Sequence, residues 1–213
     1  MAKVNAPLLS FGGAGAIGKS VVFSKWRGVD YTRKYVVPAN PNSANQQKTR
    51  SVFSWLSNVW KLLSPDAQAA WTLFAQGQPL TNRNGFIGQN TKSLRPGVDL
   101  TEMIMSPGAK GGIAAASIAQ AVAGDNITIT VGAPALPDGW AIVEAVAVAI
   151  KAGDPHDAIS AVSYSATDNA APYAPVIAVP GAGTYQCFAF FKYTKSDGSF
   201  AYSPSLTIQA VVA

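Results

Sequence analysis

The chain has 213 residues, of which 48% are hydrophobic and only 13% charged, so it is not disordered, and its exterior must be largely uncharged and receptive to partners. No apolar run reaches the ~20 residues that span a bilayer, the first seven residues (Met1 to Pro7) do not read as a secretory leader, and the single cysteine, Cys187, excludes an internal disulfide and a multi-cysteine metal site. The formal charge of +5 is uneven: residues 1–110 carry thirteen Lys/Arg against four Asp/Glu, and residues 111–213 carry three against seven, so a basic half is expected to face a different partner from a mildly acidic one.

In chain order, residues 1–18 read as a flexible arm, because four glycines stand among residues 11–18. Residues 20–26 and 31–37 are rich in β-branched and aromatic side chains and flank Arg27-Gly28-Val29-Asp30, which predicts a β-hairpin. Pro38 and Pro41 then end the second strand. Ser43 with Gln46 forms a capping-box pattern, and Val52, Phe53, Leu56, Val59, Trp60 and Leu63 recur at helical spacing. Ser64-Pro65-Asp66 starts a second helix through Ala67, Ala70, Trp71 and Phe74, and a short third helical piece holds Phe86 and Ile87. The tryptophans at 55, 60 and 71 follow the helical period and are assigned to the core.

Residues 106–124 are small and glycine- or alanine-rich, which reads as a linker. Beyond it the period turns strand-like, at residues 126–131, 140–151, 159–166, 184–193 and 200–209. The expected fold is therefore α+β in two parts. An N-terminal arm (1–18) and a β-hairpin with a helical hairpin (19–105) precede the linker, and an antiparallel β-sandwich fills 125–213. Cys187 is expected to be a small buried hydrophobe.

Gly13, Gly18, Lys19 and Ser20 satisfy the G-x-x-x-x-G-K-[ST] pattern, in which backbone N–H groups cradle phosphates and the lysine reaches the terminal ones. The residues that follow, Val21-Val22-Phe23, favour a strand where a helix is required, and no later aspartate is placed to hold magnesium, so the match is read as chance and no cofactor is expected. His156, between Asp154 and Asp157, is read as part of an exposed turn, because no nucleophile or second ligand accompanies it. No catalytic or metal-binding residue is assigned.

The hairpin supplies the candidate partner-binding set: Lys19, Lys25, Trp26, Arg27, Tyr31, Arg33, Lys34 and Tyr35. Aromatics between cations suit an acidic protein surface or stacked bases, and the absence of any nucleic-acid signature motif favours protein. Nucleic-acid binding and P-loop nucleotide hydrolysis are the remote alternatives.

Two resemblances add to this reading. Gly183-Thr184-Tyr185-Gln186-Cys187 resembles the tyrosine corner of an immunoglobulin-like domain without its partner cysteine, and residues 198–208 resemble the closing hairpin of a fibronectin type III domain. Trp26-Arg27-Gly28, Tyr31-x-Arg33-x-Tyr35, Pro38 to Pro41, Gln47 to Arg50, Ala69-Ala70-Trp71 and Gly85 to Asn90 together resemble a poorly characterised group of virion proteins of tailed bacteriophages, over residues 11–95. That resemblance implies a structural, non-enzymatic subunit, a capsid cement or decoration protein or else a tail or head-tail connector component. Other virion proteins and copies of itself are the expected partners, and the lack of a leader-like start or an apolar span leads to the expectation of assembly in the host cytoplasm with no membrane.

Overall fold

The computed structural model describes residues 2–3, 14–37, 39–40, 42–94, 100–108, 113–152 and 163–213. The chain forms two compact units, 1–43 and 44–213. It is a mixed α/β protein whose sheets are antiparallel throughout.

The first unit is a four-stranded sheet of β1 (Ala2–Lys3), β2 (Gly15–Ile17), β3 (Val21–Trp26) and β4 (Val29–Lys34), in the order β1-β4-β3-β2. The predicted hairpin is present, with a tighter turn than expected. Arg27 (φ 49°) and Gly28 (φ 81°) are both left-handed and alone join Trp26 to Val29, the two-residue turn whose twist matches paired strands. Of the predicted arm, residues 4–13 lie outside the described residues, and Gly15–Ile17 is strand. Gly18 and Lys19 (φ 55° and 54°) are also left-handed, in a three-residue connection, Gly18-Lys19-Ser20, where the Ser20 N–H donates to Ile17 C=O at 2.9 Å, and it folds Gly15–Ile17 back onto Val21–Phe23. Glycine here supplies a left-handed turn residue, not slack.

The second unit opens with α1 (Ala44–Leu62), α2 (Pro65–Ala75) and α3 (Asn82–Leu94), followed by a 3-10 turn at Leu100–Glu102. Ser64 caps α2 as its sequence predicts, accepting from the Ala67 N–H at 3.4 Å with Pro65 in the first turn. The reciprocal arm of the capping box on α1 is not made: Gln46 Oε1 is buried without a hydrogen-bond partner. Phe53, expected on the buried stripe, is 51% exposed, and Trp55 takes the core position instead. The short third piece is a thirteen-residue helix. Its Gly85 lies against the Phe74 ring, which a Cβ there would approach to 3.3 Å, a tight contact.

The strands are β5 (Ser117–Ala123), β6 (Asn126–Gly132), β7 (Ala141–Lys151), β8 (Ser163–Asp168), β9 (Val176–Ala178), β10 (Gly183–Thr194), β11 (Phe200–Tyr202) and β12 (Leu206–Val212). They form a three-stranded sheet, β5-β6-β9, and a five-stranded sheet, β11-β10-β7-β8, in which β12 also pairs with β10. The second half of the predicted linker is β5, paired along its length with β6. Its first residues are also held. Ser106 Oγ donates to Ser203 C=O at 2.6 Å, and Pro107 bridges to Pro204.

Nor do the helices and the strands form separate domains. The five-stranded sheet is buried on both faces: Val146, Val148, Ile150, Phe188 and Phe190 lie in one core with Trp55, Trp60, Trp71 and Phe86 of the helices. Ala145, Ala147, Ala149, Cys187 and Phe191 lie in a second core with Ile127, Ile129 and Ile177 of the smaller sheet. Alternation along each strand sends odd and even residues to opposite faces, so a strand covered on both sides reads as one apolar run. Helices, five-stranded sheet and three-stranded sheet are thus three layers of one body. Helix α2 is tied across it by Lys192, which pairs with Asp66 at 3.0 Å and Glu144 at 2.7 Å. Partial burial draws the Lys192 ammonium down, and the two carboxylates outweigh that and hold it above its usual range.

Candidate functional site

The candidate partner-binding residues all fall on the N-terminal unit, and the register of its sheet sorts most of them by face. Val22, Ser24 and Trp26 stand opposite Arg33, Tyr31 and Val29, with Ala16 beside Val22. The other face carries Ile17, Val21, Phe23 and Lys25 against Lys34, Thr32 and Asp30. Lys19 occupies the connection before β3 and Arg27 the two-residue turn after it, and Tyr35 follows β4, its N–H donating to Ser20 C=O at 2.8 Å. One face therefore presents apolar side chains with Arg33, and the other presents them with Lys25 and Lys34.

None of residues 14–37, 39–40 and 42–43 is buried. Lys19, Lys25, Trp26, Arg27, Arg33 and Lys34 are exposed, with Trp26 at 62%, while Tyr31 and Tyr35 are half-buried. The aliphatic side chains Ile17, Val21, Val29, Val36 and Val37 are exposed with them, and these the sequence reading did not single out. A strand pattern shows which residues share a face but not whether anything covers it. The one acid of the unit, Asp30, faces Lys25 across the hairpin at 3.9 Å, and its Oδ1 receives no hydrogen bond.

The unit boundary redraws the charge map. Residues 1–43 hold six Lys/Arg and one Asp, and residues 44–213 hold ten of each. The whole net charge of +5 therefore belongs to the N-terminal unit, attached to an electrically balanced body.

Lys19 and Ser20 lie in a strand-turn-strand, and the Ser20 hydroxyl donates to Gly18 C=O at 3.1 Å. A phosphate-binding loop instead runs from a strand into a helix whose N–H groups point at the ligand. Gly13 and His156 lie outside the described residues. Among the described residues no group of three His, Cys, Asp or Glu is gathered to hold a metal ion, and no helix is long and apolar enough to cross a membrane. A groove of about 710 Å³ runs beside α3 and β12, lined by hydroxyls such as Ser93, Ser205 and Thr207 with Glu102. Cys187 is buried, and desolvation pushes its thiol up to about 12, which holds it as the un-ionised, unreactive form.

No family model, no curated protein and no solved structure matches this chain.

Proposed function

We propose that this chain is a non-enzymatic structural protein of a tailed-bacteriophage virion, an auxiliary capsid subunit of the cement or decoration kind that attaches through its N-terminal unit. The observation that carries this reading is the contrast between the two units. A sheet in which none of residues 14–37 is buried, holding all of the net positive charge and an exposed tryptophan, precedes a body with two extensive cores and no net charge. A sheet that buries little of its own apolar surface gains stability by covering it on another molecule. The virion assignment itself rests on the motif resemblance over residues 11–95.

The C-terminal strands support an immunoglobulin- or fibronectin-III-like module within the second unit. In that architecture the first, second and fifth strands form one sheet, and the third, sixth and seventh lie in the other. With β11 and β12 counted as one interrupted last strand, the sheets β5-β6-β9 and β8-β7-β10-β11/β12 follow that arrangement. The Tyr185 hydroxyl donates to Gly181 C=O at 2.9 Å, as a tyrosine corner does. Here one face is overlaid by α1–α3, an addition to the plain sandwich. A body of no net charge suits a subunit placed among neighbours in an assembly, with other virion proteins and further copies of the chain around it and no role for nucleic acid or membrane. A tail or head-tail connector position is the second reading, which the same attaching unit would serve.

Protein mass spectrometry of purified particles tests the assignment. The chain should be present in stoichiometric amount, as a shell-wide component for a decoration protein or as one ring for a connector. Its absence from particles made by a host that expresses it would refute the reading.

A further inference from the structure

We propose that the tip of the β3–β4 hairpin, formed by Trp26, Arg27 and Val29, is the anchor of the attaching unit, and that it enters an apolar pocket rimmed by carboxylates on a protein partner. This deepens the assembly reading above and rests on it for the existence of a partner.

Four observations converge on the tip. Trp26 and Val29 stand directly opposite each other on one sheet face, and both are exposed, Trp26 at 62% and Val29 at 45%. They form an apolar pair where the strands end. Arg27 sits between them in the turn, and Lys25 is one residue away. Tryptophan and arginine are the residues that most often dominate binding energy at protein interfaces, when the apolar part fills a pocket and the charge meets its complement.

The turn is also pre-formed. Both of its residues hold left-handed backbone angles in the two-residue geometry that suits paired strands, so little ordering remains to be done on docking. Finally, the tip lies at the end of β4 opposite to the one from which the chain continues. The chain leaves toward α1 from the far end of β4, near the Gly18-Lys19 turn, and six residues of strand separate that exit from the tip, about 20 Å at the usual rise.

Charge complementarity selects the partner. A unit holding six cations and one acid attracts an acidic surface and repels a second copy of itself. Among the described residues of this unit with exposed large apolar side chains, five are aliphatic (Ile17, Val21, Val29, Val36 and Val37) and one, Trp26, is aromatic. Aliphatic groups have no π face on which bases stack, and their burial is what the core of a protein interface offers. A protein that is apolar at the centre and acidic at the rim fits both halves of the surface.

The test titrates the full chain against three fluorescein-labelled probes, read by anisotropy: a glutamate–tyrosine copolymer, polyglutamate, and a single-stranded oligothymidylate. The copolymer should bind most tightly and weaken with added salt. Trp26→Ala should weaken it at least about tenfold, toward the polyglutamate level, with Trp26→Phe recovering part of the loss. Val211→Ala, which removes an apolar residue 62% exposed on β12, outside the attaching unit, should leave binding within about twofold, since no anchoring residue is lost. The proposal is overturned if Trp26→Ala binds as the parent does, if Val211→Ala weakens binding as much as Trp26→Ala, if the oligothymidylate is the tightest probe, or if the copolymer is not bound. The titration needs no particle. Absence of the chain from virions would remove the virion reading and leave the anchor standing, and an unaffected Trp26→Ala variant would do the reverse.

Discussion

Replacing Phe190 by alanine separates a three-layered body from two domains joined by a linker. Phe190 lies on β10, fully buried in the core shared with the helices, with its ring centroid 6.2 Å from that of Tyr202. Truncating a buried phenylalanine costs about 3–5 kcal/mol, the lost transfer energy plus the residual cavity. For a chain of this size each kcal/mol lowers the melting midpoint by about 2–4 °C, so a fall of about 6–20 °C is expected. The distribution of the loss matters more than its size. Because the ring touches a core to which α1, α2 and α3 contribute Trp55, Trp60, Trp71 and Phe86, amide hydrogen exchange should speed up together in α1, α2, β7 and β10. Circular dichroism at 222 nm should show one transition. Strand amides that lose protection while helix amides keep theirs would refute the shared core and restore the linker.

Removing the Tyr185 hydroxyl with Tyr185→Phe deletes its 2.9 Å bond to Gly181 C=O, so calorimetry should show a loss of about 1 kcal/mol and a midpoint lower by about 2–4 °C; an unchanged midpoint would deny the corner a stabilising role. Cys187 should resist Ellman's reagent at pH 8 and react fully once denaturant is added, because burial pushes the thiol up to about 12 from 9.0. Tyr193 is also pushed up by burial, from 10.0 to about 12, although its hydrogen bond with Ser203 works in the opposite direction. Both groups hold their protons more tightly when folded, so their contribution to stability is complete below the unfolded values and is lost as the pH rises from 9 toward 12. Urea midpoints measured across that range should fall, and should fall less steeply in Cys187→Ala; a flat profile would contradict the burial of both groups.

What could be read from the sequence was local, and what could not was set by tertiary partners. Ser64-Pro65 announces the start of α2, and the aromatic run either side of Arg27-Gly28 announces the hairpin, because caps and turns are decided by neighbouring residues. The run Ala145 to Ile150 was legible as a strand. That its valines and Ile150 face helices while its alanines face another sheet was not, since alternation between two apolar faces leaves no polar mark. Asn82, Asn84, Gly85 and Gly88 look like a turn and point to a shorter helix than α3, yet Gly85 packs inside the helix against the rings of Phe74 and Trp71. The alanine-rich β5 looked like linker, because small residues carry little periodicity until β6 lies beside them. At the candidate site the cations and aromatics were visible from composition. The exposed aliphatic residues among them became visible only in the folded sheet, where none of residues 14–37 is buried.

The central claim is that the basic N-terminal unit attaches and the neutral body is carried. Counting copies of the chain per purified particle, for the intact protein and for a variant lacking residues 1–43, tests it most directly. Both cores lie in 44–213, so the truncated chain should keep its helical circular dichroism and yet be missing from particles that hold the intact protein. Incorporation of the truncated chain at the full copy number would contradict the account.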